Sequence, residues 1–189
     1  MNLLEVTGLK KVYTQRLGAK PNVALRNVSF SAAKGEYIAI MGESGSGKTT
    51  LLNILATLDK ATAGVVMLSG VDITKIKDSD SALFRREHLG FVFQDFNLLD
   101  ILLADEPTGA LDSKASEELL NLFGEINRDG QTILMVTHSV KAASSASRVL
   151  FIKDGEVYHQ IYKGISATEE FYAKINDTLT VLVAGGDRR

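Results

Sequence analysis

Residues 37–58, YIAIMGESGSGKTTLLNILATL, decide the fold. Tyr37 to Met41 is a continuous apolar run suited to a strand covered on both faces. The next eight residues, Gly42-Glu43-Ser44-Gly45-Ser46-Gly47-Lys48-Thr49, match the pattern G-x-x-x-x-G-K-[ST]. From Thr49 to Leu58, the spacing of Leu51, Leu52, Leu55 and Leu58 predicts a helix with one apolar side. A glycine-rich loop in this position lets backbone N–H groups turn inward around phosphate oxygens, and the helix N-terminus adds partial positive charge. Gly42, Ser44, Gly45, Ser46 and Gly47 are therefore expected to cradle phosphates, Lys48 to reach the terminal ones, and Thr49 to set a hydroxyl on Mg2+. The plainer reading is a glycine-rich turn with a chance lysine, and the strand before it and the helix after it weigh against that.

A phosphate loop alone does not choose among kinases, GTPases and transport ATPases. The second segment, Leu103-Ala104-Asp105-Glu106-Pro107-Thr108-Gly109-Ala110-Leu111-Asp112, narrows the choice. An apolar strand ending in Asp105 can deliver a carboxylate to the Mg2+ shell, and the adjacent Glu106 can point at the water that attacks the γ-phosphate. An isolated Asp-Glu pair is more often a solvated turn, but beside a phosphate loop the two carboxylates take separate jobs. No N-K-x-D tetrapeptide occurs, so a guanine-reading element is missing from the sequence.

Working outward, Leu3 to Val6 and Val23 to Ala32 read as short strands, and Gly64 to Leu68 and Gly70 to Ile73 as a small exposed strand and turn. Ser79 to His88 reads as helix and Gly90 to Phe93 as a short strand. Strand Ile101 to Ala104, helix Ser113 to Asn127 with Leu119, Leu122, Phe123 and Ile126 inward, and strand Thr132 to Val136 then follow the order of a parallel α/β sheet. Asp154-Gly155 between Val149–Lys153 and Glu156–Gln160 is a hairpin signal, and Ser166-Ala167-Thr168-Glu169 a capping box opening a helix to about Ile175. The expected fold is α/β: a P-loop core with a parallel sheet flanked by helices, plus an N-terminal antiparallel β part. With 189 residues and 45% apolar content, one domain is expected. Its 21 basic and 23 acidic residues give a net charge of -2, which supplies no field for holding nucleic acid. Cysteine is absent, which rules out thiolate chemistry. No apolar run approaches the ~20 residues of a membrane span, so a membrane role needs another chain to supply one.

Together these segments resemble the ATP-binding subunits of ABC transporters. Gly42 to Thr49 is similar to the family's Walker A, Asp105-Glu106-Pro107-Thr108 with Leu111-Asp112 to Walker B and the D-loop, Val136-Thr137-His138-Ser139 to the switch-histidine segment, and Phe91-Val92-Phe93-Gln94 to the Q-loop strand. The resemblance implies ATP and Mg2+ as ligands, with Glu106, His138, Gln94 and Lys48 catalytic and with Thr49, Gln94 and Asp105 around the metal. It also implies that Thr50 and Asp112 contact nucleotide, and that Tyr13 stacks on adenine through its π-face. Read alone, His138 and Gln94 are polar strand ends and Tyr13 is surface packing. The implied layout is one nucleotide-binding domain: 1–100 with the antiparallel part, Walker A and Q-loop, 101–160 with Walker B, D-loop and switch histidine, and 161–189 as a C-terminal accessory helix and tail. The implied assembly is a homodimer of ATPase subunits under a membrane permease, cytoplasmic and peripheral on the inner face of the cell membrane. Residues 93–99 and 105–113 resemble the macrolide-export, lipoprotein-release and peptide-resistance branch, and within it 149–155 with Phe171 and Tyr172 look closest to the bacitracin-type antimicrobial-peptide resistance transporters.

The family carries a helical subdomain, with a Leu-Ser-Gly-Gly-Gln signature, between the Q-loop and Walker B. Neither occurs here, and Leu68-Ser69-Gly70, followed by Val71-Asp72, reads as an ordinary turn. A parallel crossover takes a dozen or more residues, whereas only Asp95 to Asp100 are available. The subdomain is thus expected to be missing between about residues 100 and 101, with Asp100 left near the Q-loop and out of bonding reach of Ile101. Turnover by these 189 residues alone is correspondingly in doubt. Three alternatives stand beside antimicrobial-peptide export: a lipoprotein-release or cell-division ATPase, an ATP-binding module without turnover, and a chromosome-maintenance ATPase, for which no sustained heptads speak.

Overall fold

In the computed structural model of the chain, residues 2–14, 21–91 and 99–184 are described. Two long strands, β1 (Asn2–Tyr13) and β2 (Asn22–Ala33), open the chain, followed by the fully buried β3 (Tyr37–Met41) and helix α1 (Lys48–Leu55). Next come β4 (Ala63–Leu68), β5 (Val71–Asp72), a 3-10 turn at Ile73–Lys75, α2 (Asp78–His88) and β6 (Leu89–Phe91). The second half runs β7 (Ile101–Asp105), α3 (Ser113–Arg128), β8 (Thr132–Val136), α4 (Val140–Ala143), β9 (Arg148–Lys153), β10 (Glu156–Tyr162) and α5 (Thr168–Ala184).

The strands form one sheet in the order β5-β4-β1-β2-β10-β9-β3-β8-β7-β6. β9, β3, β8, β7 and β6 are mutually parallel, while β1, β2, β4 and β5 pair antiparallel. The expected division into a parallel core and an N-terminal antiparallel part is therefore present. Both faces of the parallel strands are covered, as their unbroken apolar sequences require. On one face, Ile38, Ile40, Leu134 and Val136 pack with Leu51 and Leu55 of α1 and with Leu9, Leu25 and Val28 of the antiparallel part. On the other, Ala39, Met41, Ile133 and Met135 pack with Phe123 of α3, Ala142 of α4, and Phe171 and Ile175 of α5. The Tyr37 phenol lies in this second layer, donating to Met135 Sδ at 3.5 Å, and burial pushes its pKa up.

Several expectations need correcting. α1 stops at Leu55 because Thr57 turns into the left-handed region (φ 53°), so Leu58 is exposed and not on an inward face. On α3, Leu120 and Phe123 are the buried residues, with Leu119 and Ile126 partly buried; Leu122 is only half-buried. β4 is not simply exposed, since Val66 and Leu68 join the core. α5 runs two turns past Ile175, held by Phe171 and Ile175 at its buried side.

The junction also differs. Leu89 pairs with Ile101, and Asp100, one residue earlier, accepts from Ser69 Oγ at 2.8 Å and lies 2.6 Å from His88 Nδ1. Asp100 and Ile101 thus sit together at the entrance end of β7, far from the strand exits. The expectation that Asp100 stays at the Q-loop, apart from Ile101, is not met. Residues 92–98, with Gln94, the expected Q-loop residue, lie outside the described residues.

Candidate nucleotide site

Parallel pairing aligns the strand exits at one edge of the sheet, where ligands of open α/β folds bind. Ile40 pairs with Val136, and Val136 with Asp105. The loop after Met41, the Asp105-Glu106 step and Thr137-His138 therefore leave the sheet side by side. Tyr13, the last residue of β1, pairs with Asn22 and reaches the same place from the antiparallel part. Tyr13, Asn22, Ala24, Gly42, Ser44, Gly45, Gly47, Lys48, Thr49, Thr50, Glu106 and His138 line one open cavity of about 450 Å³.

The phosphate loop has the geometry that anion binding needs. Gly45 (φ 79°) and Gly47 (φ 105°) take left-handed conformations, and Gly47 caps α1 without a side-chain hydrogen bond. No acidic residue occupies the first turn, so the N–H groups there are left to a ligand. A Cβ on Gly47 would come within 2.5 Å of the Ala24 carbonyl oxygen, and one on Gly42 within 2.2 Å of that of Ile152, so both positions exclude any side chain. The Lys48 ammonium donates to the carbonyls of Gly42 and Glu43, each at 2.8 Å, which leaves one of its three protons for a phosphate. Ser46 does not line the cavity; it is buried behind the loop, with its Oγ unpartnered among the described residues.

Glu106 follows β7 with φ 47°, a conformation that non-glycine residues adopt at a cost and that clusters at functional sites. It is held there by its own N–H to Val136 O at 2.8 Å and by Gly109 N–H to Glu106 O at 3.0 Å. This backbone turns the carboxylate toward His138, whose Nδ1 lies 2.9 Å and backbone N 3.3 Å from Glu106 Oε2. Asp105 is exposed at the same edge but does not line the cavity. Thr49 and Asp105 offer the hard oxygen donors that suit Mg2+, an ion that keeps several waters and relies on substrate phosphates. Asp112 stands apart: its Oδ1 accepts from Ala115 N–H at 2.8 Å, making it the N-cap of α3.

Two residues here gave no signal in the sequence. Asp59, beyond the end of α1, accepts from the Tyr13 phenol through Oδ2 at 2.7 Å and from Lys11 Nζ through Oδ1 at 2.5 Å. Burial works to raise the Asp59 pKa, but the bonds from Lys11, Tyr13 and the Lys60 N–H outweigh it and hold the carboxyl below its ordinary value. Lys11 Nζ also donates to the Lys60 carbonyl and lies 4.7 Å from the centre of the Tyr13 ring.

A glycine loop opening a helix from a central parallel strand, faced by a carboxylate and a histidine at neighbouring strand exits, defines a P-loop ATPase core. The chain belongs to the ATP-binding family of ABC transporters: residues 25–159 match the ABC transporter family. It is 38% identical to the uncharacterized ABC transporter ATP-binding protein YvcR of Bacillus subtilis, over 253 aligned positions that take in 99% of this chain and 96% of that protein. It is 34% identical to the bacitracin export ATP-binding protein BceA of Halalkalibacterium halodurans, with 96% of this chain and 97% of that protein covered. Among solved structures it resembles the dimeric post-hydrolysis state of the ATP-binding cassette MJ0796 bound to ADP and Pi, with a TM-score of 0.77, 28% identity, and 84% of this chain and 98% of that chain covered. An alignment of 253 positions against 189 residues leaves at least 64 positions, 253 less 189, without a counterpart here. No described helix is long and apolar enough to cross a membrane.

Proposed function

We propose that this chain is the ATPase subunit of an antimicrobial-peptide export or resistance transporter, working as a homodimer on the inner face of the membrane beneath a separate permease. The observation that carries this reading is the single cavity in which Lys48, Thr49, Glu106 and His138 meet, together with a relative named for bacitracin export that matches over nearly its whole length. In the proposed site Lys48 and the loop N–H groups hold the phosphates, and Thr49, with Asp105 at the same sheet edge, would hold Mg2+. Glu106 orients the attacking water, and His138 donates to the γ-phosphate while sharing a hydrogen bond with Glu106. Gln94 reports the state of the metal to the permease, and Asp112 serves the facing subunit's nucleotide. Mg2+, when bound, neutralises charge that builds on the phosphates.

The test is ATP titration of the chain and of Lys48→Ala, followed by co-purification from cells with its membrane partner. Lys48→Ala should lose MgATP binding while keeping its circular dichroism, because the lysine serves phosphates from an open loop. Unchanged affinity would remove Lys48 from the site, and co-purification with lipoprotein-release components would move the cargo to that branch.

A further inference from the structure

We infer that Asp59 and Lys11 are positioning residues that fix the Tyr13 ring as a platform for the base of the bound nucleotide. The inference rests on the nucleotide-site reading above and extends it from the phosphates to the base. Tyr13 is more than one-third exposed and ends a strand at the cavity rim, where an unheld ring would sample several rotamers. Two contacts remove that freedom. The phenol donates to Asp59 Oδ2, which fixes the far end of the ring. The Lys11 ammonium, itself buried, lies 4.7 Å from the ring centroid. Asp59 is oriented in turn: Lys11 takes its other oxygen, and the Lys60 N–H reaches that same oxygen at 2.7 Å.

The placement of Asp59 links the two ends of a nucleotide. Its backbone N–H donates to Asn53 O at 3.2 Å, in the last turns of the helix that begins at the phosphate loop. Base platform and phosphate loop therefore hang on one helix, the loop at its start and the tyrosine clamp just past its end. A base stacked on Tyr13 would find a ring already ordered, so the entropy of fixing it would not be lost on binding. The phenol bond also changes the expectation for Tyr13→Phe. A contact using only the π-face would survive that change, whereas a ring held by its hydroxyl would be loosened.

The test compares ATP with tripolyphosphate, which carries the phosphates without a base, on wild type, Tyr13→Phe, Asp59→Ala and Lys11→Met. Tyr13→Phe and Asp59→Ala should each weaken ATP by roughly three- to tenfold, about what one net hydrogen bond supplies, and leave tripolyphosphate binding unchanged. In a Tyr13→Ala background, Asp59→Ala should cost ATP nothing further. Equal losses for ATP and tripolyphosphate would make the cluster merely structural, and full ATP affinity in Tyr13→Phe would overturn the clamp even if the Asp59 and Lys11 variants fail to fold. A wild-type chain that binds tripolyphosphate as tightly as ATP would instead remove the base platform itself. One that binds neither would overturn the nucleotide-site reading beneath it.

Discussion

At the scale of single residues, Asp59 ties protonation to stability. Its carboxyl titrates below its ordinary value of 3.8 in the folded chain, so the unfolded chain takes up its proton first as pH falls. The stabilisation is then complete above about pH 4 and is lost as pH drops through the depressed folded value. Urea unfolding of wild type and Asp59→Asn should show a stability gap at pH 6 that narrows steadily below pH 4. A gap that stays constant down to pH 3 would mean the charge of Asp59 contributes nothing. Residues of the phosphate loop were legible because glycine, lysine and threonine act through their neighbours in sequence. The Asp59–Tyr13 and Asp59–Lys11 contacts were not, because they join partners 46 and 48 positions apart, and no local spacing encodes such a pairing. Asp112 shows the converse, a local cap readable as the Asp before a helix.

At the scale of elements, the hairpin at Asp154-Gly155 carries more than a turn. Both residues have positive φ, 51° and 76°, as a two-residue loop between right-twisted strands requires. Gly155 O accepts from Arg26 N–H at 2.8 Å, next to the Glu156↔Asn27 bridge that joins β10 to β2. A Cβ on Gly155 would meet Ala24 O at 2.8 Å and Arg26 N at 3.0 Å, whereas one on Gly130, at φ 98°, would meet nothing within 4 Å. Gly155→Ala should therefore destabilise by about 2–4 kcal/mol, strain plus clash, and Gly130→Ala by only the backbone strain of about 1 kcal/mol. Equal urea midpoints for the two variants would refute the close approach. The strands were readable from their apolar runs, but helix ends were not: nothing in ALA-THR-LEU at 56–58 announces that Thr57 turns left-handed and carries Leu58 into solvent. β6 and β7 were both visible in the sequence, as was the shortness of what joins them. Which end of the sheet Asp100 occupies was not, because the answer lay in its contacts with Ser69 and His88.

At the scale of the whole molecule, the described residues gather one side of the proposed nucleotide site in a single cavity. The cavity gathers a phosphate loop, a carboxylate, a histidine and a tyrosine, while the Leu-Ser-Gly-Gly-Gln signature that the family resemblance implies does not occur in the sequence. The proposed homodimer would need that signature, so the 189 residues by themselves should bind MgATP as a monomer in sedimentation experiments and show no rise in turnover per subunit with concentration. Steady hydrolysis that increases on dimerisation would mean some other segment replaces the signature.

The sheet's direction makes the two rims of the molecule unequal in a way that concerns its editing. The phosphate loop, Glu106 and His138 all leave from strand exits at the cavity. The turns at the opposite rim, Ser69-Gly70 and Asp129-Gly130, are exposed and do not line it. Ser69-Gly70 is a two-residue turn with Leu68 paired to Val71, so its ends are pinned whatever is spliced between them. Added sequence is absorbed best at such exposed tips. A short epitope tag inserted after Gly70 should leave ATP affinity within about twofold of the parent, whereas the same tag after Thr108, inside the turn that holds Glu106, should release the Glu106 carboxylate from His138. The far rim is thus where a fluorophore or affinity handle can be grafted without cost to the site.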